Sequence, residues 1–369
     1  MPPGQGLENR DVADKLLLTD LSYDEMLTWT AEQGDPAFRA KQLFEWIYRS
    51  LACDFAAMRN LPGAFRQKLA ETALVQSLSP LESITSADAL TVKTLFSLRD
   101  NETIETVLMR YEGRQTVCAS TQVGCAIGCP FCATGQSGFR RNLSSGEIVG
   151  QVLHFARQLQ SQGKVVTNLV FMGMGEPLAN YDATWHAIRV MNDARGFGLG
   201  ARRFTISTAG LAPGIRRMAK EDLAVGLAVS LHAASDALRN RLVPVNGRYP
   251  IAELVESCRA YAQGTGRRVS FEYALIDDVN DDQAQARELG RLLRGLLCHV
   301  NLIPVNPTTE CDYRPSSRQR VMAFHRELTS MGITNTIRLE RGVDIQAGCG
   351  QLRSRHLTQE TSNQGGKGS

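Results

Sequence analysis

From residue 115 to residue 330 the chain alternates six short apolar runs with five amphipathic segments, and few folds accept that rhythm. The runs, 115–121, 167–172, 203–208, 225–231, 269–275 and 299–304, have strand length. The segments 145–160, 182–193, 250–263, 282–296 and 316–330 carry helical spacing. In the first, Ser144 and Glu147 form a capping box ahead of the stripe Ile148, Val149, Val152, Leu153 and Ala156. Such alternation implies parallel strands, bent into a partial or whole barrel or laid out as an open doubly wound sheet. Either arrangement puts a site at the carboxyl ends of the strands.

The chain ahead of this region differs in kind. Residues 1–16 read as a disordered leader and 354–369 as a polar, Gly-rich disordered tail. Between them, 17–82 has helical spacing, with Phe38, Leu43, Phe44, Ile47 and Leu51 near one stripe, and reads as a small helical domain. Residues 83–112 switch to β-rich runs around the turn Arg99-Asp100-Asn101 and read as a hairpin linking it to a core over 113–353.

Charge separates the same parts. Residues 1–100 hold 10 Lys and Arg against 14 Asp and Glu, which leaves 31 against 24 for the rest of the 369 residues. Most of the cations are Arg, whose fork suits phosphate, so the basic part is a candidate for holding nucleic acid. The longest apolar stretch, 223–234, is shorter than the ~20 residues a membrane span needs. The polar start has no signal-like apolar region, so a cytoplasmic protein is expected.

Nine cysteines in a cytoplasmic chain point to ligands, catalysts or core residues rather than structural disulfides. Cys125, Cys129 and Cys132 stand as C-x3-C-x2-C in a Gly-rich loop just after the first core strand, with Gly128 easing the turn. Thiolates so spaced can curl round one small iron–sulfur cluster, and three of them leave one iron open. A zinc site normally takes four ligands, and no fourth Cys or His lies nearby. Chance clustering of core cysteines fits poorly among Gly and polar neighbours.

The loop resembles that of the radical SAM (S-adenosylmethionine) superfamily, which implies a partial (βα)6 barrel, a 4Fe–4S cluster on those three cysteines, and SAM on the open iron. By the same resemblance, the run VFMGMGEP around Gly175 and Glu176 is the segment that receives the SAM amino group. Ser207, the Ser230-Leu231-His232 run and Asn306 complete the SAM site. Each sits at a strand end, as convergence on one mouth requires.

Runs over most of residues 17–353 narrow the likeness. FRAKQLFEWIYR, IETVLMRY, QVGCAIGCPFCATG, FMGMGEPLANYDAT, GARRFTISTAG, AVSLHAASDALRNRLVPVNGRYP, HVNLIPVNP and DIQAGCGQLR resemble, in order, the RlmN/Cfr family of RNA adenine methyltransferases. That resemblance implies two SAM per turnover. One methylates Cys349, and the other yields a radical that removes a hydrogen from that methyl group so it can join the adenine ring. Glu105 is then the proton acceptor. Cys118 is the resolving thiol, forming a transient disulfide with Cys349. The RlmN branch modifies adenine carbon 2 and the Cfr branch carbon 8, and the runs look closer to RlmN. The implied substrates are the peptidyl-transferase region of 23S ribosomal RNA and the adenine beside the anticodon of some tRNAs. The implied partner is a flavodoxin or ferredoxin electron donor, and the enzyme is expected to be a monomer. Cys53, Cys258, Cys298 and Cys311 match no motif.

Overall fold

The structure is a computed structural model that describes residues 15–308, 311–338 and 342–352. Apart from Lys15 and Leu16, the expected leader lies outside the described residues, as does the expected tail. Strand β1 (Leu16–Leu17) leads into helices α1 (Tyr23–Glu32), α2 (Phe38–Tyr48) and α3 (Gly63–Thr72), then β2 (Ala73–Leu74), which pairs in parallel with β1. Ser22 and Glu25 cap α1 reciprocally, which satisfies amides that the first helical turn leaves open. Leu43, Phe44 and Ile47 are fully buried along α2. Phe38 is not on that stripe: it is 54% exposed, because five residues turn a helix well past one revolution.

One ten-stranded sheet forms the rest. Strands β3 (Ser79–Thr85), β4 (Thr91–Ser97), β5 (Thr103–Tyr111) and β6 (Arg114–Cys118) run as an antiparallel meander. The expected hairpin is therefore β4 and β5, with Asn101 in the left-handed region at its turn, and it continues the sheet rather than standing apart. Beyond β6 come β7 (Gln122–Gly124), the short helix α4 (Ala133–Gln136), β8 (Phe139–Asn142) and α5 (Ser145–Gln160). Strands β7 and β8 pair only with each other. The parallel part then follows as β9 (Asn168–Phe171), α6 (Tyr181–Asn192), β10 (Phe204–Thr208), α7 (Ala212–Met218), β11 (Gly226–Ser230), α8 (Asp236–Leu242), α9 (Ile251–Thr265), β12 (Val269–Leu275), α10 (Gln283–Leu292), β13 (Cys298–Pro304), α11 (Arg318–Ser330) and β14 (Asn335–Ile337). In space the strands run β14-β13-β12-β11-β10-β9-β6-β5-β4-β3, with β6 the hinge between parallel and antiparallel halves.

Strand alternation sorts the side chains into two sets. Thr106 bonds Gln151 of α5 at 2.6 Å, so its face of β5, with Leu108 and Val117, packs on the helices. The other face holds Glu105, Val107 and Cys118 and looks into the barrel. The curl brings the two ends of the sheet to one segment, 342–352. Lys93 of β4 donates to Gln346 O at 3.1 Å, and Asn306 beyond β13 donates to Cys349 O at 3.1 Å.

The N-terminal module is docked on α5. Asp20 Oδ1 accepts from Gly146 N at 2.5 Å and from Ser145 Oγ at 2.9 Å, supplying an anion to a helix N-terminus. A Cβ on Gly146 would lie 2.6 Å from Leu17 Cδ2 and 2.8 Å from Asp20 N. Gly146→Val is therefore expected to cost about 1–3 kcal/mol by overpacking. Chemical denaturation of the two proteins would check this, and an unchanged midpoint would contradict it.

Candidate active site

The carboxyl ends of the parallel strands open into one cavity. Cys125, Cys129, Cys132, Gly175, Glu176, Ser207, Ser230, His232, Asn306 and Cys349 all line it. Leu231 does not: it is fully buried beneath the floor, and its amide donates to Glu272 O at 3.0 Å. Glu105 and Cys118 lie on the inner face of β5 and β6, outside the lining of this cavity, and are 2% and 8% exposed.

The cysteine loop rises from β7. Cys125 N donates to Gly138 O at 2.9 Å, which ties the loop to β8, and Cys132 N closes a turn on Cys129 O at 3.1 Å. Burial pushes the Cys125 thiol up to about 12 and lifts Cys129 well above its ordinary value, with the charge of Cys132 adding to both. Thiols raised in this way need a strong positive partner to become thiolates, which a cluster's irons supply. Among the described residues no three His, Cys, Asp or Glu side chains are arranged to hold a single metal ion. A zinc site normally takes four protein ligands, whereas three cysteines suit a 4Fe–4S cube with one iron left open, so the donor set fits the cube better.

Around the loop the walls are preorganised. Gly175 has φ 102°, and a Cβ there would fall 2.5 Å from Gln122 Cβ, so only glycine admits this turn. The turn places Glu176, whose carboxylate accepts from Ala209 N at 2.6 Å and Leu178 N at 3.0 Å. Even so, burial raises its carboxyl to about 7. A cation placed against it, such as an amino group, would recover that cost. His232 takes a left-handed φ of 59°, strain that the fold imposes at the mouth. Its Nδ1 accepts from Ala274 N at 2.9 Å, so the neutral ring carries its hydrogen on Nε2, and burial depresses its pKa to about 3. Asn306 Oδ1 is buried with no partner among the described residues, while its Nδ2 holds Cys349 O. An acceptor left open beside polar strand ends suits a ligand rich in donors, as SAM is.

Cys349 lies between Gly348 and Gly350. A Cβ on Gly348 would lie 2.6 Å from Asn306 Nδ2, so the backbone approaches the wall as closely as it can. Ala133 N donates to Gly350 O at 2.8 Å, and Thr134 Oγ1 to Leu352 O at 2.9 Å, which binds this segment to the cluster loop. Solvent reaches Cys349 through the mouth, yet the cavity walls strip enough hydration to raise its thiol. Burial takes Cys118 up to about 12, with the charge of Cys349 adding to the rise. Arg338, which lines the cavity and pairs with Glu272 at 3.5 Å, opposes the rise at both thiols. All nine cysteines are free, so the pairing expected between Cys118 and Cys349 is not formed in this structure.

Three residues of the site escaped the sequence reading. Arg338, Arg239 and Lys93 are chain-distant cations indistinguishable, by local pattern, from solvated ones. Arg239 is fully buried and donates to Leu231 O, Ser230 O and Ala209 O at 3.0, 3.1 and 2.5 Å.

The raised carboxyl of Glu176 has a measurable consequence. Its protonated form favours the SAM-free fold below the ordinary value of 4.5, and that contribution is lost as pH rises through about 7. Glu176→Gln is always neutral, so its stability should gain on the unsubstituted protein by up to about 3 kcal/mol between about pH 5 and about pH 8. Urea midpoints at the two pH values would show it, and a pH-independent difference would refute it.

Comparison with known proteins completes the description. The model of the radical SAM superfamily matches residues 119–289, and that of the ribosomal RNA large subunit methyltransferase N-terminal domain matches residues 16–75. The probable dual-specificity RNA methyltransferase RlmN of Staphylococcus aureus strain JH9 is 46% identical over 348 residues, covering 94% of this chain and 95% of that one. The protein of the same description from strain NCTC 8325 matches to the same extent. A radical SAM methyltransferase from Sphaerobacter thermophilus, solved by crystallography, is 52% identical, with TM-score 0.91 over 92% of this chain and 99% of that one. With this likeness running through both the N-terminal module and the barrel, the chain belongs to the RlmN family of radical SAM methyltransferases.

Proposed function

We propose that this enzyme methylates carbon 2 of adenine in RNA, acting on the peptidyl-transferase region of 23S ribosomal RNA and on the adenine beside the anticodon of some tRNAs. One observation carries the reading: Cys349 is pinned at the mouth of the cluster cavity, electrostatically coupled to Cys118 on the barrel's inner face. An aromatic ring carbon is a poor nucleophile towards a sulfonium methyl, so direct displacement does not suffice. A cysteine that carries the carbon, with a second to release it, answers that difficulty.

Cys125, Cys129 and Cys132 hold the cluster, and Gly175, Glu176, Ser207, Ser230, His232 and Asn306 form the SAM site, while Leu231, buried with its N–H and C=O already bonded, supports the floor beneath it. When bound, these groups supply a methyl for Cys349 and the means of taking a hydrogen from it. The protein's residues do the rest. Cys349 presents the one-carbon unit to the ring, and Glu105 accepts the ring proton. Cys118 then attacks Cys349 Sγ: the S–S bond forms, the S–C bond breaks, and its electron pair goes to the carbon, which takes up a proton as the product methyl. Arg338 favours the thiolate at both sulfurs. Each cycle leaves a disulfide, so an external dithiol must reset the pair.

To reach the mouth, the adenine must leave its stack, which favours RNA not yet buried in a finished ribosome. The excess of cations in residues 101–369 would hold the phosphates. A flavodoxin- or ferredoxin-type reductant, a monomeric state and a cytoplasmic location belong to the same reading. Among the described residues no helix is long and apolar enough to cross a membrane.

Enzyme reconstituted without oxygen should convert adenosine in both RNAs to 2-methyladenosine, read by mass spectrometry of the digested nucleosides, with a rate that falls as salt rises. Finding only 8-methyladenosine would place the chemistry at the other ring carbon. Cys118→Ala should still acquire a methyl on Cys349 and then stall with RNA covalently attached. Full turnover by that variant would rule out the relay.

A further inference from the structure

Lys93 has no part in the reaction as described, yet it sits among three components of it. It is 3% exposed on β4. Cys118 pairs with Val107 and Val107 with Lys93, so the three side chains share the inner face, with Glu105 two residues along β5 on that same face. Lys93 Nζ lies 3.1 Å from Glu105 Oε1 and 3.1 Å from Gln346 O, three residues before Cys349. The backbone of Glu105 is fixed, its amide donating to Met174 Sδ at 3.3 Å and its carbonyl accepting from Ser120 Oγ at 2.6 Å. A buried ammonium needs a partner, and one carboxylate suffices for charge. The further bond to a carbonyl 253 residues away is not demanded by neutrality. It joins the base to the segment that bears the methyl-carrying thiol.

We propose that Lys93 is the positioning residue that keeps Glu105 ionised and aimed as the base, and that it does so with segment 342–352 docked across the mouth. The inference rests on the reading of Glu105 as proton acceptor. In that step the ring C–H bond breaks, an O–H bond forms on Glu105, and the C–H electron pair returns to the ring; Lys93 stays an ammonium throughout. Among the described residues, the titratable groups on the elements packed round the pair include Cys118 on β6, Glu176 on the turn that carries Met174, and Asp344 and Cys349 on the C-terminal segment, with Arg338 facing the two thiols. Asp344 is engaged by Ala87 N at 2.9 Å, and Cys118 is protonated at neutral pH.

The test uses the reconstituted holoenzyme with Lys93→Met, Lys93→Arg, Glu105→Gln and the double variant Lys93→Met/Glu105→Gln. Methyl loading of Cys349 is read by mass spectrometry without RNA, and methyl transfer to RNA by single turnover across pH. Lys93→Met should load Cys349 normally but transfer about 100-fold more slowly near neutral pH, of the order a general base contributes. Its acid limb should move to higher pH, because a buried carboxylate without its cation holds a proton more tightly. Lys93→Arg should restore most of the rate and the limb. Adding Lys93→Met to Glu105→Gln should cost little more, since the lysine acts through the carboxylate. That comparison, with both charges gone, stands even if Lys93→Met alone does not fold. An unmoved acid limb, additive losses in the double variant, or loss of Cys349 loading in proportion to transfer would each overturn the proposal. Full transfer by Glu105→Gln would instead remove Glu105 as the base, a separate failure.

Discussion

A single guanidinium holds the floor of the active site together. Arg239 enters from α8, is fully buried, and spends its donors on Ala209 O, Ser230 O, Leu231 O and Asn246 Oδ1. Those carbonyls stand where β10 and β11 end, where the parallel ladder can no longer satisfy them. Leu231 O also accepts from Ala233 N at 2.8 Å, and the fork reaches Ser230 O and Ala209 O as well. Burial depresses the guanidinium to about 10, with the charge of Cys129 opposing the fall. It nevertheless remains a cation at neutral pH. It therefore fixes the strand ends that place Ser230 and His232, and it sets a positive charge under the cluster loop. Asn246, bound in turn to Asp236 and Asn240, keeps the arginine from turning away.

The barrel interior differs from one built for stability alone. In a closed barrel, layers of branched apolar side chains fill the centre. Here the inward row across the strands runs Ser207, Ala228, Ser270 on one level and Ser230, Glu272, Asn301, Thr336 on the next. Glu272 accepts from Asn301 at 2.8 Å, and Asn301 accepts from Thr336 at 3.1 Å, so the polar row is largely self-satisfied. The apolar core lies instead between sheet and helices, and the open sheet gains buried area from the β3–β5 meander and from the docked N-terminal module. A polar lumen costs packing, but it leaves room for a zwitterionic cofactor and a flipped base.

Legibility in the sequence followed the range of the interaction. The strand and helix rhythm was readable because β9 to β13 carry apolar residues on the face that packs against the helices, and the helices carry one clean stripe. The three ligand cysteines were readable because their ligand lies within eight residues of chain. Cys349, Cys118 and Glu105 had no local signature: their roles came only from likeness to a family. Lys93 shows why. Its strand reads TVKTLF, and a lysine in such a run marks the solvent side by ordinary patterning. Only the pairing of β4 with β5, and the return of the chain near residue 346, make that position an interior one. Phe38 failed in the opposite sense, since an aromatic beside a helical stripe looked buried and was not.

Coupling across the mouth follows from the same long-range contacts. Segment 342–352 touches β4 through Gln346, the β3–β4 turn through Asp344, the strand-end loops through Asn306, and the cluster loop through Gly350 and Leu352. Few of these bonds join neighbours in sequence, and each is made at the edge of a cavity, where packing is thin. Displacing the segment would break the contact of Lys93 with Gln346, release Cys349 O from Asn306, and free the loop of Cys132 from Gly350. Glu105, Cys349 and the cluster loop are thus ordered by one docking event. A single short segment can serve all three because the sheet curls far enough to bring β4 and β13 to opposite sides of it, and an open, flat sheet with the same strands would not.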